Sequence, residues 1–286
     1  MTLSTFTTSD GVRLCYDDRG SGTPLLCLAG LTRNMDDFKP ILGPLEGRCR
    51  IIRLDARGRG RSDWPEDFTT YNVIREGHDV LELLDHLGLD KVVVLGTSRG
   101  GLIAMALAAG HAERMAAVIL NDIGPVVGAA GLARIMDYVG HAPSSRTLDA
   151  VAEATARYHA EAFPGVPPAI WREQVEHWYE QTSEGLRLRY DPDLRKALLH
   201  QSAAGAMPDL WPFFEALKTL PLAVIRGANS DILSAETMAE MQRRHPGMMA
   251  VAVPDRGHVP FLDEPESLAA IEAMLVAGET RIGAGA

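Results

Sequence analysis

The chain has 286 residues, 46% of them hydrophobic and 23% charged, a globular composition long enough for one large α/β domain with an inserted subdomain. A formal net charge of −10 argues against a nucleic-acid partner, whose phosphates need a basic surface, and suits an enzyme with a small ligand. The start "MTLSTFTTSDG" has neither the basic residues nor the apolar core of a signal peptide, and no apolar run approaches a membrane span. A cytoplasmic protein without a membrane partner is expected.

In chain order, alternation in "TFTTSDGVRLCYDDRG" predicts two short strands around the turn Asp10-Gly11. "GSGTP" is a second turn, followed by the buried strand "LLCLAG", and "CRIIRLD", "KVVVLG" and "MAAVILND" are further strands with helical patterns between them. In "HDVLELLDHLGL" the residues Val80, Leu83, Leu84 and Leu87 share a helical face, and Gly88 can end the helix. Strands alternating with helices imply a mostly parallel sheet covered on both faces. From Gly124 to Phe214 no strand run is convincing. Three helical faces are predicted there, one with Leu132, Ile135, Met136 and Val139, one in "LDAVAEATARYHAEAF", and one with Trp171, Val175 and Trp178. The aromatic stripe reads as core between this insertion and the body, with part of it able to line a pocket from above. "LPLAVIRG" and "MMAVAVP" resume the strands, and "GETRIGAGA" has little left to bury and is expected to be disordered. The cysteines Cys15, Cys27 and Cys49 have no ligand-like spacing. Cys27 reads as a core thiol, and an odd count without a framework points to a reducing compartment.

The stretch "VVVLGTSRGGLIAMALA" (92–108) places a serine between two glycines where a β-branched run gives way to helix formers. This is G-x-S-x-G in strand–turn–helix context, the nucleophile elbow. The sharp turn exposes the Ser98 hydroxyl, Gly96 and Gly100 remove side chains that would collide, and the new helix aims free N–H groups at the same place. The plainer reading is a tight turn with a capping serine.

On these residues the chain resembles the α/β-hydrolases of the capped, esterase-like kind. "DARGRGRSD" is similar to the family's D-x-R-G-x-G-x-S motif, and "RGHVPFLDEP" to its catalytic-histidine loop. The resemblance implies an α/β-hydrolase fold, a mostly parallel eight-stranded sheet flanked by helices with a helical cap inserted after strand 6. The expected division is residues 1–123 and 215–286 for the core domain and 124–214 for the cap. It also implies a Ser–acid–His order, filled here by Ser98, an aspartate and His258, the base that takes the serine proton. For the acid, Asp231 just past the seventh strand is favoured. The family's usual place is one residue earlier, at Ser230, and Asp122 after the sixth strand is the rival. The oxyanion hole is expected from the main-chain N–H groups of Arg99 and of Leu31 in "LAGLTRN". Relatives often carry His-Gly in that loop, where this chain has Ala29-Gly30, which leaves open how the loop is braced.

Arg33 and Arg99 are candidates to face the pocket and hold a carboxylate, against the alternative of structural ion pairs. Met136 and Trp178 are expected to set substrate choice from the cap. "RGRGR" (57–61) reads as a turn with positive-φ glycines and salt-bridging arginines, and Tyr190 in "RYDPDL" as structural. No histidine forms a metal pattern, and no cofactor is expected. The expected activity is cofactor-independent serine hydrolysis of a carboxylic ester or lactone, the small-molecule partner, with homo-oligomerisation left open. One alternative is a carbon–carbon bond hydrolase acting on a ring-cleavage product, whose usual Gly-rich loop "LAGLTRN" does not match. The other is a catalytically silent ligand receptor on the same fold, against which the intact Ser98, Asp and His258 set argues.

Overall fold

The computed structural model describes residues 3–205 and 208–283. β1 (Ser4–Thr7) and β2 (Arg13–Gly20) form the hairpin expected around Asp10-Gly11. β3 (Pro24–Leu28), β4 (Arg50–Asp55), β5 (Val92–Thr97) and β6 (Met115–Asn121) follow, with α1 (Val73–His86) and α2 (Arg99–His111) among them. Asn72 caps α1 by accepting from the Arg75 N–H, and Gly88 follows its end with φ +63°. β9 (Leu222–Gly227), α8 (Ala235–Arg244), β10 (Met249–Val253) and α9 (Pro265–Gly283) complete the body after an insertion described below.

The eight strands lie in the order β1-β2-β4-β3-β5-β6-β9-β10, and all pairs beyond β2–β4 are parallel. Residues along a strand alternate between faces, so the sheet buries two apolar layers. Leu26, Val94, Val118 and Val224 pack on the face covered by α1 and α2. Leu25, Cys27, Val93, Leu95, Ile119 and Ile225 pack on the other, with Ile271 and Leu275 of α9. Cys27 is thus a core thiol, as expected. α9 continues to Gly283, because Ile282 packs against the second layer. The disorder expected from Gly278 onward does not hold up to that point, and residues 284–286 of that stretch lie outside the described residues.

Residues 124–214 contain α3 (Ala129–Tyr138), α4 (Leu148–Tyr158), α5 (Pro168–Trp178), α6 (Leu194–Ala203) and all but the last residue of α7 (Trp211–Glu215). They also contain a hairpin that the helical pattern concealed, β7 (Tyr179–Thr182) paired with β8 (Gly185–Leu188). Each strand has only four residues, and β7 (Tyr-Glu-Gln-Thr) is largely polar, too little to register as alternation. The segment is joined to the body at several points. Asn34 Nδ2 donates to the His177 carbonyl (2.7 Å), the Gly60 N–H to the Arg189 carbonyl (2.8 Å), and the Tyr71 hydroxyl to Asp191 (2.5 Å). Trp171 is buried in an aromatic stack with His159 (5.2 Å between centroids), Phe163 and Phe261, the last from the body.

Burial holds His159 and His177 near pKa 4, well below the ordinary value for imidazole. The unfolded chain therefore binds protons near pH 6 that the folded chain excludes. Their contribution to stability is complete above pH 6.5 and is lost as the pH falls from there toward 4. Replacing His159 by Phe keeps a ring on Trp171 and removes one of these protons. Tm followed from pH 7 to 4.5 should fall less in His159→Phe than in the parent, by the equivalent of about 2 kcal/mol. Parallel curves would contradict this.

Candidate active site

β5 ends and α2 begins at Ser98, whose backbone has φ +50° and ψ −111°. A non-glycine residue in this region is strained, and the strain turns the side chain outward. Ser98 occupies the N-cap position of α2, yet its hydroxyl makes no capping bond, which disfavours the reading of a capping serine. The corner needs its glycines. A Cβ on Gly96 would lie 2.5 Å from the Gly100 carbonyl oxygen, and one on Gly100 would lie 2.0 Å from that of Leu28.

His258 reaches the same place from the loop after β10. Glu264 shapes that loop by accepting from the N–H groups of Phe261 and Leu262 (both 2.9 Å), the Ser267 hydroxyl (2.9 Å) and Arg256 Nε (2.8 Å). His258 Nε2 lies 3.0 Å from Ser98 Oγ, and Nδ1 lies 2.7 Å from Asp122 Oδ2. Asp122 is fully buried at the end of β6, with φ +56°. Its carboxylate also accepts from the Gly227 N–H (2.8 Å) and the Ser230 hydroxyl (2.6 Å).

The favoured acid is therefore corrected. Asp231 does not meet His258; it forms a two-pronged ion pair with Arg134 of α3 (Nη2–Oδ1 2.8 Å). Ser230, in the position where relatives usually carry the acid, instead donates to the Asp122 carboxylate. β6 lies between β5 and β9 in the sheet, so the Ser230 hydroxyl past the end of β9 reaches the carboxylate at the end of β6 that meets His258.

Arg99 opens α2, so its N–H has no acceptor within the helix, and the Leu31 N–H meets no acceptor among the described residues. Both residues are tied to one buried carboxylate. Arg99 Nε and Nη2 each lie 2.8 Å from Glu76, and Arg59 Nη1 lies 3.0 Å from it, while Arg59 Nε donates to the Leu31 carbonyl (2.9 Å). Burial raises the Glu76 carboxyl, but the two guanidinium groups overcome it and hold its pKa at about 2. The Arg99 side chain is thus engaged in a structural ion pair. Arg59 supplies the brace for the Leu31 loop. The rest of "RGRGR" behaves as expected, with positive φ at Gly58 and Gly60 and Arg57 paired to Asp10 and Asp79.

Ser98 and His258 open into a cavity of about 710 Å³ between the body and residues 124–214. Leu31, Arg33 and Trp178 line it. Met136 does not. Its helix turns Arg134, Ile135, Asp137 and Tyr138 toward the cavity instead, and the Met136 carbonyl accepts from Arg195. Sequence reasoning missed Arg134, Tyr158, His159 and Tyr179, and assigned Tyr190 only a structural role. Tyr190 also lines the cavity while its hydroxyl accepts from the Gly140 N–H (3.1 Å). The signal available for the first group was their place on helical faces, but periodicity does not say which face meets a cavity. A second chamber of about 440 Å³ shares Arg134, Tyr158, His159 and His258 with the first and adds Glu161 and Asp231. Among the described residues, no group of three or more His, Cys, Asp or Glu side chains is arranged to hold a metal ion. No described helix is long and apolar enough to cross a membrane.

Removing the Glu76 charge leaves two buried guanidinium groups facing each other. Glu76→Gln should cost about 3 kcal/mol of stability, read from denaturant midpoints at unchanged m. A loss below 1 kcal/mol would mean that the cluster is not needed.

Comparison with known proteins places this geometry among relatives. The chain is 36% identical to the 3-hydroxybutyrate-oligomer hydrolase of Cupriavidus necator over 89% of its own length and 88% of the relative's. It is 29% identical to the 2-(acetamidomethylene)succinate hydrolase of Mesorhizobium japonicum, covering 86% of this chain and 85% of that one. The crystal structure of an alpha/beta hydrolase from Novosphingobium aromaticivorans superposes with a TM-score of 0.89 at 39% identity, over 96% of this chain and 98% of that one. The family model described as "Alpha/beta hydrolase family" matches residues 25–271. With its eight-stranded, mostly parallel sheet and Ser98 at a strained strand–helix corner, this chain belongs to the alpha/beta hydrolase family.

Proposed function

We propose that this hydrolase cleaves carboxylic esters or lactones through an acyl-enzyme on Ser98, with His258 as base and Asp122 as the acid that orients it. The observation that carries the reading is the unbroken line from Ser98 Oγ through the His258 ring to Asp122, at distances of 3.0 and 2.7 Å. Ser98 Oγ attacks the carbonyl carbon while its proton passes to His258 Nε2. The tetrahedral oxyanion receives hydrogen bonds from the Leu31 and Arg99 N–H groups, at the positive end of α2. The ester C–O bond breaks as His258 returns that proton to the departing alcohol oxygen. Water then attacks the acyl-enzyme, giving its proton to His258, and Ser98 recovers it as the acid leaves. Asp122 keeps the proton of the neutral imidazole on Nδ1 and stabilises the imidazolium formed in each half-reaction.

Ester chemistry is supported by the activity named for the Cupriavidus necator relative, an oligomer hydrolase. Residues 124–214 act in this reading as a lid whose underside, Trp178 included, sets substrate choice. The cysteines are buried and unpaired, which fits the cytoplasmic setting expected from the sequence.

The acid assignment gives the test. In steady-state hydrolysis of an aryl butyrate, Asp122→Asn should lower kcat by roughly 10⁴, the loss seen when the orienting acid of a serine protease is replaced. Ser98→Ala should approach the loss of about 10⁶ typical of a nucleophile that acts within a unit. Asp231→Asn loses an ion pair that does not touch the imidazole and should cost less than tenfold. The opposite ranking of the two aspartate variants, both folded, would overturn the assignment.

A further inference from the structure

We infer that the substrate carries a carboxylate besides its ester, and that Arg33 together with the Trp178 indole N–H forms the subsite that binds it. The inference deepens the ester-hydrolase reading and rests on it for the word ester; the anion subsite itself stands on the following geometry.

Arg33 sits in the loop after β3, beside the reacting centre. A Cβ placed on Gly30 would lie 3.3 Å from Arg33 Cγ and 3.8 Å from Ser98 Cβ, so the two side chains flank one small space. The guanidinium then lies over the Trp178 ring, with Cζ 3.7 Å from its centroid. Arg33 Nη1 and Trp178 Nε1 are both buried and have no hydrogen-bond partner among the described residues. Both residues line the cavity, and two buried donors left unsatisfied at its wall are costly unless a ligand, with a small shift of either side chain, completes them.

The charge balance points the same way. Arg59 and Arg99 are each bonded to Glu76, and Arg134 to Asp231, whereas Arg33 has only Asp37 at 4.0 Å, beyond hydrogen-bond reach. Burial pushes the Asp37 carboxyl up to about 6, and no hydrogen bond joins it to the Arg33 guanidinium. The Arg33 charge in turn helps keep His159 neutral across the cavity. A carboxylate accepts from two N–H groups at once and neutralises the guanidinium in the same step. The second chamber offers no free positive charge, since its Arg134 is paired with Asp231. Glu161 and Asp231 line it beside Arg134, so it favours an uncharged group and leaves the anion to the Arg33 side.

Calorimetric binding to Ser98→Ala, which cannot turn over by the proposed route, tests the subsite apart from the chemistry. The probes are monomethyl glutarate and its uncharged counterpart dimethyl glutarate. Monomethyl glutarate should bind at least tenfold more tightly than the diester. Adding Arg33→Gln should erase that preference, adding Arg33→Lys should restore part of it, and adding Trp178→Phe, which keeps the ring under the guanidinium, should weaken only the anionic probe, by about threefold. Equal affinity for the two probes, or a preference that survives Arg33→Gln in a variant of unchanged Tm, would overturn the inference. If the anion preference appears while wild-type protein hydrolyses neither ester, the subsite stands and the ester-hydrolase reading fails.

Discussion

A single buried carboxylate organises the reactive corner. Glu76 comes from α1, an element that supplies none of the reacting groups, yet it holds Arg59 and Arg99 together in the buried interior. Two like charges so close would repel strongly at low dielectric, and the acid between them converts repulsion into a clamp. One arm fixes the first residue of α2. The other runs through Arg59 to the Leu31 carbonyl. The two main-chain N–H groups proposed to stabilise the oxyanion thus share one anchor, although they come from loops 68 residues apart in the chain. Where relatives often carry His-Gly in the first loop, this chain has Ala29-Gly30 and braces the loop from beneath.

The acid shows how sheet order decides a choice that chain order leaves open. Ends of β6 and β9 lie side by side, and both carry aspartates. Asp122, with its left-handed backbone, turns into the gap and collects three donors, His258 among them. Asp231 turns away to Arg134 and fastens α3 to the body. Ser230 keeps the usual acid position occupied by a donor in place of an acceptor. A carboxylate that accepts three hydrogen bonds is held in one orientation, which is what an imidazole needs to keep its far nitrogen on the serine.

Much of this was legible in the sequence, for physical reasons that also mark where legibility ends. Continuous β-branched runs identify strands buried on both faces, and G-x-S-x-G between strand and helix identifies the corner, because both signals are local. The Tyr179–Leu188 hairpin is not legible, since four residues per strand are too few to establish a period. Met136 was assigned to the pocket from a helical face, but the face gives a direction only once the neighbouring element is known, and the cavity lies one side over, at Ile135 and Tyr138. Ser230 in the place of an acid was a visible clue to Asp122, and its weight depends on a strand adjacency that no local pattern contains.

The central claim is that Ser98 is an activated nucleophile. It is tested most directly by brief exposure of the native protein to a fluorophosphonate, followed by intact-mass and peptide mapping. One adduct per chain, located on Ser98 and abolished by prior heat unfolding, is the predicted result. No adduct on the folded protein, or an adduct on another residue while Ser98 stays unmodified, would contradict it.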